Sequence, residues 1–351
     1  MKFLRLAFYV LIAQLVLSGC AGEAVEETSS SSSSEINFDA YLGRNASTRS
    51  EVTDNTHLKG TEGNSGFGVF ARYNYNGKIL SLLDTEHVTW NKDQNHWEYT
   101  NTRFWPSEGS VDFYAFAPYS TAPKLESPNK NEANPTCIYF PSNLSPIDLV
   151  WANAMERTKT NDPVKFTFNH ALARLGLDIK ANQKLEKNGA VITVNKVILY
   201  GASETSGVFV MAGYLNLENG AWTLADNGIS WFYTWTPDGK VDGNEEVKKN
   251  GTVLKLSASQ LDHTNDIITN ADDSYLFIIP QDLPKNFNLK ITYTVKQGDF
   301  EEEVTVTKNL LDVLSGDSKP YFKGGKAYVF HLKLSLDPIN FKVTPEVEPW
   351  K

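Results

Sequence analysis

Ile36-Asn37-Phe38-Asp39-Ala40-Tyr41-Leu42 is the stretch from which the fold class follows. Ile36, Phe38, Ala40 and Leu42 fall at every second position, so in an extended chain they share one face while Asn37, Asp39 and Tyr41 share the other. Leu175, Leu177 and Ile179 alternate in the same way with Gly176, Asp178 and Lys180. Further strands are expected at 67–73, 87–91, 96–100 and 111–119, where Val, Phe, Tyr and Trp accumulate between Gly, Asn, Asp and Pro. In the last of these, Tyr114 and Phe116 are apolar on the face opposite Phe113 and Ala115, which predicts a strand covered on both sides.

Residues 43–66, rich in Asn, Thr, Ser and Gly, read as a long loop, and 120–135 as irregular. The second half repeats the style, with strands expected at 191–200, 230–236, 253–256, 275–279, 289–296, 302–308 and 328–336. Asn219-Gly220, between the apolar flanks of 215–224, is a hairpin signal. Helical periodicity lasts no more than a turn or two, with 170–174 and 310–314 the best short candidates. Many short strands at this spacing predict an all-β protein built of sandwiches. At about 150 residues per domain, the 351-residue chain suggests two. The expected layout is a leader at 1–19, a tether at 20–35, a first domain at 36–160 and a second at 161–351, divided in the polar stretch 158–163.

The leader assignment rests on Leu17-Ser18-Gly19-Cys20. Lys2 and Arg5 precede an apolar run, 6–17, that is too short to span a bilayer, and small residues then lead to a cysteine. This resembles the lipobox of bacterial lipoproteins, in which the thiol is lipidated, as by palmitate, and becomes the mature N-terminus. Each buried methylene contributes about 0.8 kcal/mol, so several acyl chains on Cys20 would hold the protein on an outer membrane. The segment 21–35 contains Glu23, Glu26, Glu27 and an unbroken serine run, a composition that cannot offset chain entropy by burial. Its acidic residues resemble surface-export signals; a merely solvated spacer is the competing reading.

A net charge of -9 argues against a nucleic-acid partner, which calls for a clustered basic surface. Apart from Cys20 the chain has only Cys137, so no intramolecular disulfide is expected once Cys20 is lipidated. None of the six histidines has the one-turn spacing of a zinc hydrolase, and no Gly-x-Ser-x-Gly elbow is present. The sequence therefore assigns no catalytic residue, no metal site and no cofactor. Most of the eight tryptophans are expected in the core, with Trp350 exposed.

Several runs taken together resemble the fimbrillin family of minor and major pilins. They are Phe67-Gly68-Val69-Phe70; Trp97-Glu98-Tyr99; Arg103-Phe104-Trp105-Pro106; and Val111-Asp112-Phe113-Tyr114-Ala115-Phe116-Ala117-Pro118-Tyr119. Asp148-Leu149-Val150-Trp151-Ala152, the run from Val164 to Leu175, and Leu276-Phe277-Ile278-Ile279-Pro280-Gln281 continue the match in order. One departure is Phe322, ahead of Gly324-Gly325-Lys326, where related sequences commonly carry Trp.

The resemblance implies two tandem transthyretin-like Greek-key β-sandwich domains, and a structural, tip or accessory subunit of surface pili (fimbriae) that supports cell adhesion. It implies export as a lipoprotein and, as partners, other pilin subunits, the outer membrane through Cys20 and a host or bacterial surface ligand. In that family an arginine-specific protease removes an N-terminal strand, and the exposed groove accepts a strand from a neighbour. Arg49 matches the expected site best, Arg44 second, and 36–42 would be the strand lost.

At the other end of the chain Phe341, Val343, Pro345 and Val347 alternate with Lys342, Thr344, Glu346 and Glu348, as a donor strand requires. Pro345 and Pro349 confine such a strand to an edge. The competing reading makes 339–343 an ordinary final strand and the remainder a loose tail. Two other function classes remain open at this level: a surface glycan-binding lipoprotein of a nutrient-uptake system, signalled by exposed tryptophans in a cleft, and a hydrolase, signalled by converging carboxylates.

Overall fold

The computed structural model describes residues 34–42, 55–60, 66–119, 123–129, 132–140, 147–185, 189–226, 230–241, 251–271, 274–314, 322–336 and 342–349. The expected leader, Cys20, most of the tether, Arg44, Arg49, Phe341 and Trp350 lie outside the described residues.

The first half opens with β1 (Phe38–Leu42), a single helical turn α1 (Asn55–Lys59), and the long hairpin of β2 (Phe67–Tyr75) and β3 (Lys78–Asn91). Next come β4 (His96–Glu98), β5 (Ser110–Ala117), the short β6 (Leu125–Glu126) and β7 (Cys137–Phe140), then β8 (Val150–Arg157) and β9 (Val164–His170). Seven of these form one sheet in the order β1-β9-β8-β5-β2-β3-β4. The hairpin turns on Asn76-Gly77, both at positive φ, the conformation that matches the twist of the flanking strands. Register shifts at Val69/Ala71 on β2 and opposite Asp112 on β8 bend the sheet, and its two end strands, β1 and β4, come into contact. The enclosed face is the first core, built around Phe38, Phe67, Phe113, Phe166 and Trp97.

The second half runs through β10 (Ala173–Ala181), β11 (Val191–Tyr200), β12 (Phe209–Val210), β13 (Gly213–Asn216), β14 (Trp222–Leu224) and β15 (Ser230–Thr236). It continues through β16 (Gly251–Lys255), β17 (Gln260–Leu261), β18 (Ile267–Thr269), β19 (Leu276–Ile278), β20 (Asn288–Gln297) and β21 (Phe300–Asn309). A short helix α2 (Leu311–Leu314), β22 (Lys326–Leu334) and β23 (Lys342–Pro349) complete it. One sheet orders β18-β10-β22-β23 with β19 also on β10; the other orders β12-β15-β11-β20-β21 with β16 and β17 attached. The second core combines the alternating residues Leu175, Leu177 and Ile179 with Tyr233, Trp235 and Tyr293. Gln281 lies buried where a backbone neighbour is missing: its side-chain amide accepts from Val210 N–H at 3.0 Å and donates to the Val210 carbonyl at 2.8 Å. Phe322, the departure from Trp, packs in this core edge-on to Tyr328 with centroids 4.6 Å apart.

A fourth sheet, β14-β13-β7-β6, takes two strands from each half. Packed around it, Phe70, Tyr114 and Phe116 of the first sheet join Leu215, Phe277 and Ile279 of the second half in a third core. The expectation for β5 therefore holds: Phe113 and Ala115 enter the first core, Tyr114 and Phe116 the third. The Asn219-Gly220 hairpin also forms, as β13 and β14. Gly220 has φ +75, and a Cβ there would lie 2.3 Å from Trp151, so the turn closes on the first sheet only with glycine.

Three expectations need correction. Residues 170–174 are not helical: His170 ends β9, Ala173 begins β10, and the buried Ala171 and Leu172 carry the chain between sheets, which produced the false helical spacing. The irregular reading of 120–135 passes over β6, which pairs with β7. The polar stretch 158–163 joins β8 to β9, neighbours in the first sheet, so that sheet continues to His170.

Candidate functional site

β1 is the edge strand of its sheet, yet it is packed like a central one. Ile36, Phe38, Ala40 and Leu42 are 0%, 4%, 8% and 5% exposed, each filling one pocket of the groove beside β9, while Asp39 and Tyr41 face outward. Phe38 is the deepest anchor. Its ring centroid lies 5.2 Å from Tyr99, 5.7 Å from Phe166, 5.9 Å from Phe113 and 6.4 Å from Phe67. The strand runs parallel to β9, with Phe38 opposite Val164 and Leu42 opposite Phe168, and Val164 N–H donates to the Asn37 carbonyl at 2.7 Å.

Both ends of β1 are clamped by groups outside its ladder. At the start, Ile36 N–H donates to the Arg103 carbonyl at 2.8 Å and Trp105 N–H to the Ser34 carbonyl at 3.0 Å. The Tyr99 hydroxyl donates to the Ile36 carbonyl at 2.8 Å and accepts from Arg103 N–H at 3.0 Å. Burial, outweighing that Arg103 hydrogen bond, holds the Tyr99 phenol above its usual range, so it is a proton donor at neutral pH. At the far end, Leu42 N–H donates to Asn55 Oδ1 at 2.8 Å and Asn55 Nδ2 donates to the Leu42 carbonyl at 3.3 Å. One amide side chain thus satisfies both backbone groups of the last residue of β1, just ahead of the segment that carries Arg44 and Arg49.

The C-terminal strand is seated differently. β23 pairs antiparallel with β22 from Lys342↔Lys333 to Pro349↔Lys326 and ends the sheet. Of its alternating apolar set only Val343 is buried, at 7% exposure; Pro345 is half-buried and Val347 is 55% exposed. The strand continues through residues that the loose-tail reading leaves unpaired, and Pro345 and Pro349 sit on the edge strand that their missing amide protons require. The seven described tryptophans are buried or half-buried, so none supplies an exposed stacking platform.

A fimbrillin-like family model matches residues 48–350. The chain belongs to the fimbrillin-like family. Comparison with curated proteins gives no match. Among solved structures, this fimbrillin-like chain is similar to a fimbrial protein from Bacteroides vulgatus, with 20% identity, 90% of this chain and 99% of that chain covered, and a TM-score of 0.61. It is also similar to a candidate cell adhesion protein from Bacteroides uniformis, with 18% identity, 90% and 98% covered, and a TM-score of 0.51. At such identities the likeness is one of fold, the β-sandwich.

The fimbrillin-like chain also carries side-chain links that strand patterns do not reveal. His331 in β22 reaches Asp178 of β10 through Nδ1 at 2.7 Å and Glu346 of β23 through Nε2 at 2.9 Å. His170, at the end of β9, meets the buried Asp148 at 3.0 Å. Asn55, Tyr99 and His331 lie far in sequence from the strands they hold, and in a single sequence nothing marks such pairs.

Proposed function

We propose that this fimbrillin-like protein is a non-catalytic pilus or adhesion subunit, carried to the outer cell surface as a lipoprotein through Cys20 and joined to its neighbours by strand exchange. The observation that carries the reading is the seating of β1 with Ile36 just ahead of it, an edge segment whose four alternating apolar side chains fill a groove lined by Phe67, Phe113 and Phe166. An edge strand can leave without breaking the order of the other six strands. Its departure uncovers apolar pockets and the unpaired backbone of β9, and an incoming strand restores both at once.

Arg49, with Arg44 as the second choice, is the proposed cut. The family match begins at residue 48, so it starts beside Arg49 and leaves β1 outside. The proposed donor is the C-terminal segment, with Phe341, Val343 and Val347 as its plugs. Other subunits, and a ligand on a host or bacterial surface, are the partners this reading requires.

The test is to treat the purified chain with an arginine-specific protease and to look for ladders on a denaturing gel run without boiling. Cutting confined to 43–54, ladders, and their suppression by a synthetic peptide spanning 35–43 are expected. A nicked chain that stays monomeric after β1 has been driven off by denaturant and refolding rejects strand exchange.

A further inference from the structure

We propose that Asp178, His331 and Glu346 form a protonation-controlled latch that holds the C-terminal strand β23 on the body of the protein and lets it go when His331 becomes neutral. This inference gives the strand-exchange reading a means of regulation and rests on it for its biological meaning, although the latch itself is a property of the single chain.

The three residues cross three adjacent strands. Asp178 of β10 stands opposite His331 of β22, and His331 stands opposite Thr344 of β23, two residues from Glu346. Nδ1 lies 2.7 Å from Asp178 Oδ2 and Nε2 lies 2.9 Å from Glu346 Oε2. A carboxylate only accepts, so both contacts need a hydrogen on the ring nitrogen. A neutral imidazole carries one N–H and one lone pair and can satisfy a single carboxylate; only the imidazolium satisfies both.

Which contact breaks on deprotonation follows from the surroundings. The charged groups facing His331 are Asp178 and Lys180 from β10, Lys333 on its own strand, and Lys342 and Glu346 from β23. The Asp178 side chain is 11% exposed and its Oδ1 has no hydrogen-bond partner among the described residues, whereas the Glu346 side chain is 63% exposed. Asp178 Oδ2 also meets Lys180 Nζ at 3.3 Å, but the Asp178 side chain is nearly enclosed whereas Glu346 is open to water, so the single N–H of neutral His331 stays on Asp178 and Glu346 turns to solvent. Among the described residues, Glu346 is the only side chain of β23 with a hydrogen bond or ion pair to the other strands of its sheet. What remains is the backbone ladder to β22, the contact of α2 with the strand and the burial of Val343.

Hydrogen exchange of the full chain at about pH 5 and about pH 8, the interval in which histidines change charge, tests this when each rate is divided by that of the unstructured peptide. Protection of 342–349 should fall roughly two- to fivefold from acid to alkaline, the scale of an exposed ion pair, while protection of 173–181 in β10 stays constant. His331→Gln and Glu346→Gln should each abolish the difference; Glu346, on the rim, keeps the test open should the histidine variant not fold. Equal protection at both pH values in the unaltered chain, or a difference that survives Glu346→Gln, overturns the latch. A working latch in a protein that never polymerises leaves the latch standing and removes the strand-exchange reading instead.

Discussion

Phe38 of β1 lies stacked on Phe166 of β9, ring centroids 5.7 Å and planes 24° apart, with Tyr99 and Phe113 closing the pocket around it. The contact joins the N-terminal edge strand to the centre of the first core. Removing the ring leaves a cavity, and large-to-small changes of a buried Phe cost about 3–5 kcal/mol. Phe38→Ala should therefore lower the urea midpoint of unfolding, while the outward-facing Asp39→Asn stays within about 0.5 kcal/mol. Equal effects at the two positions would show that β1 contributes nothing to the core beyond its ladder.

Tyr99 supplies a pH-dependent part of the same seat. Its phenol is raised by burial, so the folded state favours the protonated form. A group raised in the folded state stabilises fully below its unfolded value, about 10, and that contribution is lost as pH climbs through the folded value. Ionised Tyr99 cannot donate to the Ile36 carbonyl. β1 should loosen above about pH 10, and Tyr99→Phe should remove that step and cost roughly 1 kcal/mol at pH 7. Exchange rates of the amides at 36–42 read both effects.

Cys137 sits buried in β7, and burial, helped by nearby Glu132, pushes its thiol up. Less thiolate and less access both slow alkylation. Iodoacetamide at about pH 8 should label Cys137 much more slowly in the native chain than in urea; equal rates would mean that the four-stranded sheet opens readily.

Much of this molecule was legible in the sequence, and the exceptions have physical causes. The period-two pattern of 36–42 and of 175–179 held because each strand covers one core with one face. β5 was readable as doubly covered because both of its faces are apolar. The first half of β3 was missed because Ile79-Leu80-Ser81-Leu82-Leu83 keeps no clean alternation: the hairpin tip is solvated on both sides, leaving Ile79 and Leu80 43% and 55% exposed. The candidate site was half legible. Apolar plugs announce themselves by spacing, but the clamps Asn55 and Tyr99 and the link at His331 act across long sequence separations, where no local period connects the partners.

The anchor has its own test. If Cys20 carries lipid, Cys20→Ala moves the protein from the membrane fraction to the soluble one, because the acyl chains supply the attachment. Membrane fractionation that survives the change would place the attachment elsewhere.

Val347 separates the two roles of the C-terminal strand most cleanly. In the single chain it is 55% exposed, whereas Val343, four residues away on the same face, is 7% exposed and part of the second core. A strand that served only its own domain would have little use for Val347, and a charge there would cost within about 0.5 kcal/mol whatever the protein does. A strand donated to a neighbour would push Val347 into a pocket such as the one Ile36 or Leu42 fills in β1, where an unpaired carboxylate is several kcal/mol worse than a methyl group. Val347→Asp should thus leave the urea unfolding of the monomer unchanged and abolish ladder formation by the protease-treated protein. Val343→Ala should lower monomer stability by about 0.5–1.5 kcal/mol, as a small methyl deletion does, and so cannot by itself distinguish the roles. Undiminished ladders from Val347→Asp would show that the segment is the last strand of its own sheet and nothing more.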